Sequence, residues 1–166
     1  IAAGRLAYQK GYDIIIERMS EMKSNLNFNL LILGSGELEN DLKQLVISKG
    51  LSDYVRFIGY RKNVSSYIRY ADALLLSSRY EGFPNIVLEA NSLGKPVFSN
   101  SCKGGINEII INGSNGLACD FTNKEDFQNG LHEFLGTKFD ESKIVELTSS
   151  RYSIETIIKK YINFFS

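Results

Sequence analysis

Residues Ser77 to Pro96 read S-S-R-Y-E-G-F-P-N-I-V-L-E-A-N-S-L-G-K-P, and Ala73-Leu74-Leu75-Leu76 stands immediately before them. That apolar run is short and continuous, as in a parallel strand buried on both faces. Glu81-Gly82-Phe83-Pro84 then reads as a loop, with a permissive glycine and a proline suited to the first helical position. From Asn85 onward Ile86, Ala90 and Leu93 recur at helical spacing with Val87 beside them, and Gly94 marks the stop. The unit is strand, loop, helix. Glu81 falls in the loop and Glu89 about one turn into the helix, so both belong at the carboxyl edge of a sheet, where open α/β sheets bind ligands. The helix start offers unpaired N–H groups and a positive dipole end, which suit a phosphate. Two carboxylates flanking a phosphate suit the hydroxyls of a sugar and a ribose.

The alternation continues in both directions. Ile1-Ala2-Ala3 reads as a strand end, followed by a loop through Lys10 and a helix whose buried face carries Tyr12, Ile15, Ile16, Met19 and Met22. Phe28 to Leu33 is a second strand, ended by Gly34-Ser35-Gly36. Leu38, Leu42, Leu45 and Val46 mark the next helix, stopped by Gly50. Tyr54 to Ile58 is a third strand and is followed by a short helix to Tyr70. After the Ala73–Leu76 strand come Val97-Phe98, a helix through Ile106, Ile109 and Ile110, and a last strand at Gly116-Leu117-Ala118. Three helices close the chain, at Glu125–Leu135, Glu141–Ser149 and Ile154–Phe165. This pattern predicts an α/β fold: a doubly wound, Rossmann-like parallel sheet of about six strands with helices on both faces. Residues 1–150 form that domain. Within 151–166, Ile154, Ile157, Ile158, Tyr161, Ile162 and Phe165 make one apolar stripe, which either docks on this domain or faces a partner outside it.

Composition narrows the function. With 166 residues the chain is one domain by size, and 43% hydrophobic with 23% charged residues is ordinary for a globular protein. Net charge is zero, so there is no global basic field for nucleic acid or an anionic membrane, and an anion site has to be local. No apolar run approaches the ~18 residues of a membrane-spanning helix. No signal peptide opens the chain. It begins at Ile1, inside a strand, so the expectation is a piece of a longer protein. Cys102 and Cys119 form neither a CxxC nor a zinc set, which predicts reduced thiols of a cytoplasmic protein.

Each motif has more than one reading. Gly34-Ser35-Gly36-Glu37-Leu38-Glu39 approaches G-x-G-x-x-G, but Glu39 stands at the third glycine. About 20 residues past Gly36 stands Arg56, where an NAD ribose needs an acid. A nicotinamide dehydrogenase is set aside, as is a nucleotide kinase, since no G-K-[ST] follows. The two glycines either punctuate a turn or let backbone approach a ligand. Arg5 and Lys10 are either solvated charges or the cations that a departing diphosphate needs when no metal is present. No acidic D-x-D cluster near these loops calls for a metal. Glu81 and Glu89 could equally complement the helix dipole. His132, the sole histidine, falls on a surface helix away from the loops. Asn63-Val64-Ser65 and Asn112-Gly113-Ser114 match glycosylation sequons, which a cytoplasmic chain leaves bare.

The arrangement E-x7-E followed by A-x3-G-x-P, with G-R-x4-K-G at Gly4 to Gly11, resembles the signature of the group 1 (family 4) glycosyltransferases, in their nucleotide-sugar-binding domain. The resemblance covers essentially the whole chain and implies the C-terminal half of a GT-B enzyme, retaining and metal-independent. It implies no cofactor beyond a nucleotide-sugar co-substrate, UDP-linked by family frequency. On that pattern Arg5 and Lys10 clamp the diphosphate, Glu81 holds the donor sugar hydroxyls and Glu89 the ribose hydroxyls. Backbone N–H groups of Gly82, Phe83, Ile86 and Val87 serve sugar and phosphate. Ile58 and Tyr60 flank the base, and Gly34 and Gly36 line the donor site. Asn107 stands where many members have proline in G-G-x-P-E, so Gly105 and Glu108 are not counted.

The expected partners are the nucleotide-sugar donor and a glycan or lipid-linked acceptor held by an N-terminal domain, with no nucleic acid. The expected setting is surface polysaccharide, lipopolysaccharide or capsule biosynthesis, cytoplasmic or at the cytoplasmic face of the inner membrane. The alternatives are a GT-B-like nucleotide-sugar epimerase and an inactive nucleotide-sugar-binding module.

Overall fold

The computed structural model describes residues 1–165. Its six strands are β1 (Ala2–Ala3), β2 (Leu30–Leu33), β3 (Val55–Gly59), β4 (Leu74–Leu76), β5 (Val97–Asn100) and β6 (Gly116–Cys119). All pair in parallel, in two three-stranded ladders, β1-β2-β3 and β4-β5-β6. Ile1 links the ladders. Its carbonyl accepts from the Leu75 N–H at 2.7 Å, and its own nitrogen donates to the Ala73 carbonyl at 3.0 Å. The order is therefore 3-2-1-4-5-6, the doubly wound arrangement, with the direction of winding reversing between β1 and β4. The two-residue β1 is where the two ladders meet.

Helices cover both faces, as strand alternation requires. Leu75, Phe98, Leu30 and Ile32 pack with Tyr12, Ile15, Ile16 and Met19 of α1 (Tyr12–Glu21), with Leu42 and Val46 of α2 (Glu39–Ser48), and with the apolar side of α6 (Lys124–Gly136). Leu74, Leu76 and Val97 point the other way. They meet Ile68 of α3 (Val64–Tyr70), Val87 and Ala90 of α4 (Asn85–Ser92), and Ile106 and Ile109 of α5 (Ile106–Ile109). Two amides pin α4 beneath β5 and β6. Asn91 donates to the carbonyls of Lys95 and Asn115, and Asn115 donates to Asn91 Oδ1 and the Ile109 carbonyl. Both are buried, so full pairing is what keeps them tolerable.

Tyr152 of α7 (Glu141–Tyr152) packs on the second core, and a turn at Ser153 opens α8 (Ile154–Phe165). Ile154, Ile158 and Tyr161 of α8 are 78%, 51% and 64% exposed. Ile157 of the same stripe is half-buried.

Candidate functional site

Two loops leave the sheet at the switch point, one after β1 and one after β4, and they are stitched together. The Arg79 N–H donates to the Gln9 carbonyl at 2.8 Å, Gln9 Nε2 to the Tyr80 carbonyl at 3.1 Å, and Ser77 Oγ to the Lys10 carbonyl at 2.8 Å. The stitching brings Lys10 and Glu81 together, with Lys10 Nζ 2.6 Å from Glu81 Oε1. Ser78 Oγ donates to the same oxygen at 2.6 Å, and Glu81 Oε2 takes no hydrogen bond among the described residues. Only 8% of the Glu81 side chain is exposed, against 21% for Lys10. Tyr12 lies beneath. Burial, and then the Glu81 charge, push its phenol well above the usual range, so it stays protonated.

A third loop, which the sequence reading left out, completes the platform. The Glu81 N–H donates to the Lys103 carbonyl at 3.2 Å and the Gly105 N–H to the Gly82 carbonyl at 2.9 Å. Gly104 has φ +123, and a Cβ there would sit 1.6 Å from the Glu81 carbonyl oxygen. The adjacent Gly104-Gly105 pair was the available signal. Asn100 ties this layer down, donating to the Ser78 carbonyl and accepting from the Phe121 N–H.

The other residues singled out are distributed around this pair. Pro84 occupies the cap position of α4 rather than its first helical position, and no side chain caps the helix. The Val87 N–H is already bonded to the Pro84 carbonyl at 2.9 Å and its side chain is fully buried, so its donor is engaged within the helix start. The Ile86 N–H takes no backbone partner among the described residues. Phe83 is 47% exposed, edge-on to Tyr152, beside an open Gly82. Glu89 accepts from Ser65 Oγ on α3. Ile58 and Tyr60 lie at the end of β3, with Tyr60 exposed. Arg5 is separated from Lys10 in its pairing: it reaches Glu37 at 3.3 Å on the Gly34-Ser35-Gly36 loop, and both side chains are largely exposed. The glycine requirement in that loop comes from close approach. A Cβ on Gly34 would lie 1.9 Å from the Gly4 carbonyl oxygen, and one on Gly36 2.4 Å from that of Leu6.

Electrostatics at the outer side of the loops centre on Arg79. Its two terminal nitrogens hold both oxygens of Asp13 at 2.8 and 2.5 Å. The hydrogen bonds from Arg79 hold the Asp13 carboxyl below its ordinary 3.8. A depressed carboxyl contributes stability above its unfolded pKa and loses it as pH falls through the folded value. Acid titration of the wild type should therefore show a loss of stability below about pH 4, and Asp13→Asn should lack that component. Parallel curves for the two proteins would refute it. Cys102 is buried with its thiol pushed up by burial and then Glu81, and burial lifts Cys119 to about 12, so both stay protonated near neutrality. His132 is exposed on α6. Among the described residues no group of three or more His, Cys, Asp or Glu is placed to hold a metal ion, and no helix is long and apolar enough to cross a membrane.

Known proteins with this arrangement agree with one another. The family model for glycosyl transferases group 1 matches residues 1–147. An uncharacterized glycosyltransferase of Haemophilus influenzae is 31% identical over 165 residues, covering 97% of this chain and 47% of its own length. The amylovoran biosynthesis glycosyltransferase AmsD of Erwinia amylovora is 27% identical, covering 97% and 46%. Among solved structures, the lipopolysaccharide outer core galactosyltransferase WaaB superposes with a TM-score of 0.84 at 25% identity, covering 98% of this chain and 47% of its own. Anabaena HepE, solved in complex with UDP, shares the fold with a TM-score of 0.81 at 21% identity, covering 99% and 47%. The chain thus spans about half the length of these proteins. Since the family match runs through all six strands and all three loops of the platform, the chain belongs to the group 1 glycosyltransferases, as the C-terminal half of their GT-B fold.

Proposed function

We propose that this chain is the donor-binding half of a retaining, metal-independent glycosyltransferase that moves a hexosyl or N-acetylhexosaminyl group from a UDP-sugar to a glycan or lipid-linked acceptor. The Lys10–Glu81 pair carries the reading: one cation and one carboxylate, both largely buried, meet at the switch point beside the uncapped start of α4. Lys10, Arg5 and the Ile86 N–H stabilise the diphosphate as the anomeric C–O bond breaks. Glu81, with Oε2 free to accept, orients the sugar hydroxyls, and Glu89 holds the ribose. The acceptor hydroxyl attacks from the face the diphosphate leaves, and its proton passes to the departing phosphate oxygen. The UDP-bound relative of the same fold supports the choice of base.

The acceptor site belongs to a part of the protein outside this chain, so the chain alone binds donor and transfers nothing. Relatives named for amylovoran and lipopolysaccharide core biosynthesis support a role in surface polysaccharide, lipopolysaccharide or capsule assembly, which this reading sets at the cytoplasmic face of the membrane. Calorimetry with UDP, GDP and ADP tests this. UDP should bind best, and EDTA should not weaken it. Glu89→Gln should lose about 1.5–3 kcal/mol of UDP affinity if one charged hydrogen bond is removed. Strict dependence on added metal, or no binding of any nucleotide, would sink the proposal.

A further inference from the structure

Lys10 lies at the end of a single 3-10 turn, Tyr8–Lys10, on a loop with no buried side chain in that turn. Nothing within so short an element fixes where its ammonium goes. The stitching bonds described above seat the turn on the facing loop, and the Arg79 side chain adds a charged anchor to them. Its guanidinium bonds both Asp13 oxygens, donates to the Tyr8 carbonyl at 2.8 Å and stacks 4.0 Å from the centre of the Tyr8 ring. An isolated surface ion pair contributes little. This one is bidentate and planar, which fixes direction as well as distance. It joins three segments: the 3-10 turn that ends at Lys10, the first turn of α1 after it, and the loop from Ser77 that carries Glu81. Asp13 also neutralises the guanidinium, which leaves Lys10 as the cation on Glu81.

Resting on the donor-binding reading above, we infer that the Asp13–Arg79 pair is a positioning device for Lys10. It holds the turn on both sides of that lysine so that the ammonium meets the donor diphosphate in one place. Asp13 and Arg79 themselves touch no substrate in this assignment.

Affinities for UDP and for uridine are measured by calorimetry on the wild-type chain and on Asp13→Asn, Arg79→Lys and Arg79→Met, with melting curves for each. A misplaced Lys10 weakens binding of the diphosphate and not of the bare nucleoside. Asp13→Asn and Arg79→Met should reduce the preference for UDP over uridine by about tenfold with uridine affinity unchanged. Arg79→Lys, which keeps the charge and loses the fork, should fall between them and the wild type. Asp13→Asn is isosteric, so the test survives if Arg79→Met fails to fold. A lower melting temperature with the preference intact would make the pair merely structural and overturn the inference. If the wild type itself shows no preference for UDP, the donor-binding reading falls and takes this role with it. A wild-type preference retained in Asp13→Asn removes the positioning role alone.

Discussion

Lys10→Met is expected to cost about 2–3 kcal/mol of stability, because it strands a carboxylate. Glu81 is 8% exposed and would keep only the Ser78 hydroxyl on the oxygen that Lys10 now holds at 2.6 Å. In a chain of this size the melting temperature should drop by roughly 5–10 °C. UDP binding should weaken as well, since on the proposed donor-binding reading the same ammonium faces the diphosphate. The double variant Lys10→Met with Glu81→Gln should recover most of the lost stability, because a pair replaced on both sides leaves no uncompensated charge. It should recover none of the UDP affinity. That split separates the two roles of the lysine. An unchanged melting temperature for Lys10→Met would show that Glu81 is adequately solvated without it, and the site would be wetter than its burial implies.

Gly104→Ala should be strongly damaging, since among the glycines it brings an added Cβ closest to another atom. The added Cβ would sit 1.6 Å from the Glu81 carbonyl oxygen, at a backbone angle of φ +123 that side chains rarely adopt. Both obstacles are backbone, so neither relaxes cheaply. A loss of about 3 kcal/mol is expected, together with loss of donor binding as the Glu81–Phe83 loop is pushed off the Lys103 and Gly105 bonds. Gly113 supplies the control: its φ is +77, but nothing lies within 4 Å of its Cβ position. Gly113→Ala should cost only about 1 kcal/mol and leave nucleotide binding untouched. Equal behaviour of the two alanine variants would show that the Gly104 loop is free to move and does not build the platform.

The strands and helices were legible in the sequence because their causes are local. Three consecutive leucines bounded by turn residues read as a buried strand, and Ile15, Ile16 and Met19 read as one helix face, whatever lies elsewhere in the chain. The placement of Lys10, Glu81 and Glu89 at the carboxyl edge followed from the same patterns, as did the family resemblance. What only the tertiary structure decided concerns pairs brought together across the switch point. Lys10 meets Glu81 and Arg79 meets Asp13 because β1 and β4 are neighbours, and no periodicity records that adjacency. Arg5, two residues past the end of β1 at Ala3, turned instead to Glu37 on the far side of β1, a choice set by strand order. The Gly104-Gly105 pair signalled a turn, but the close approach of Gly104 to the Glu81 carbonyl, the Ser78 hydrogen bond to Glu81 and the engaged Val87 donor depend on loop paths that the local pattern leaves open. The stripe on α8 was plain in the sequence, but that Ile154, Ile158 and Tyr161 stay exposed while Ile157 is half-buried depends on how the tail packs on the assembled chain, which no local pattern records.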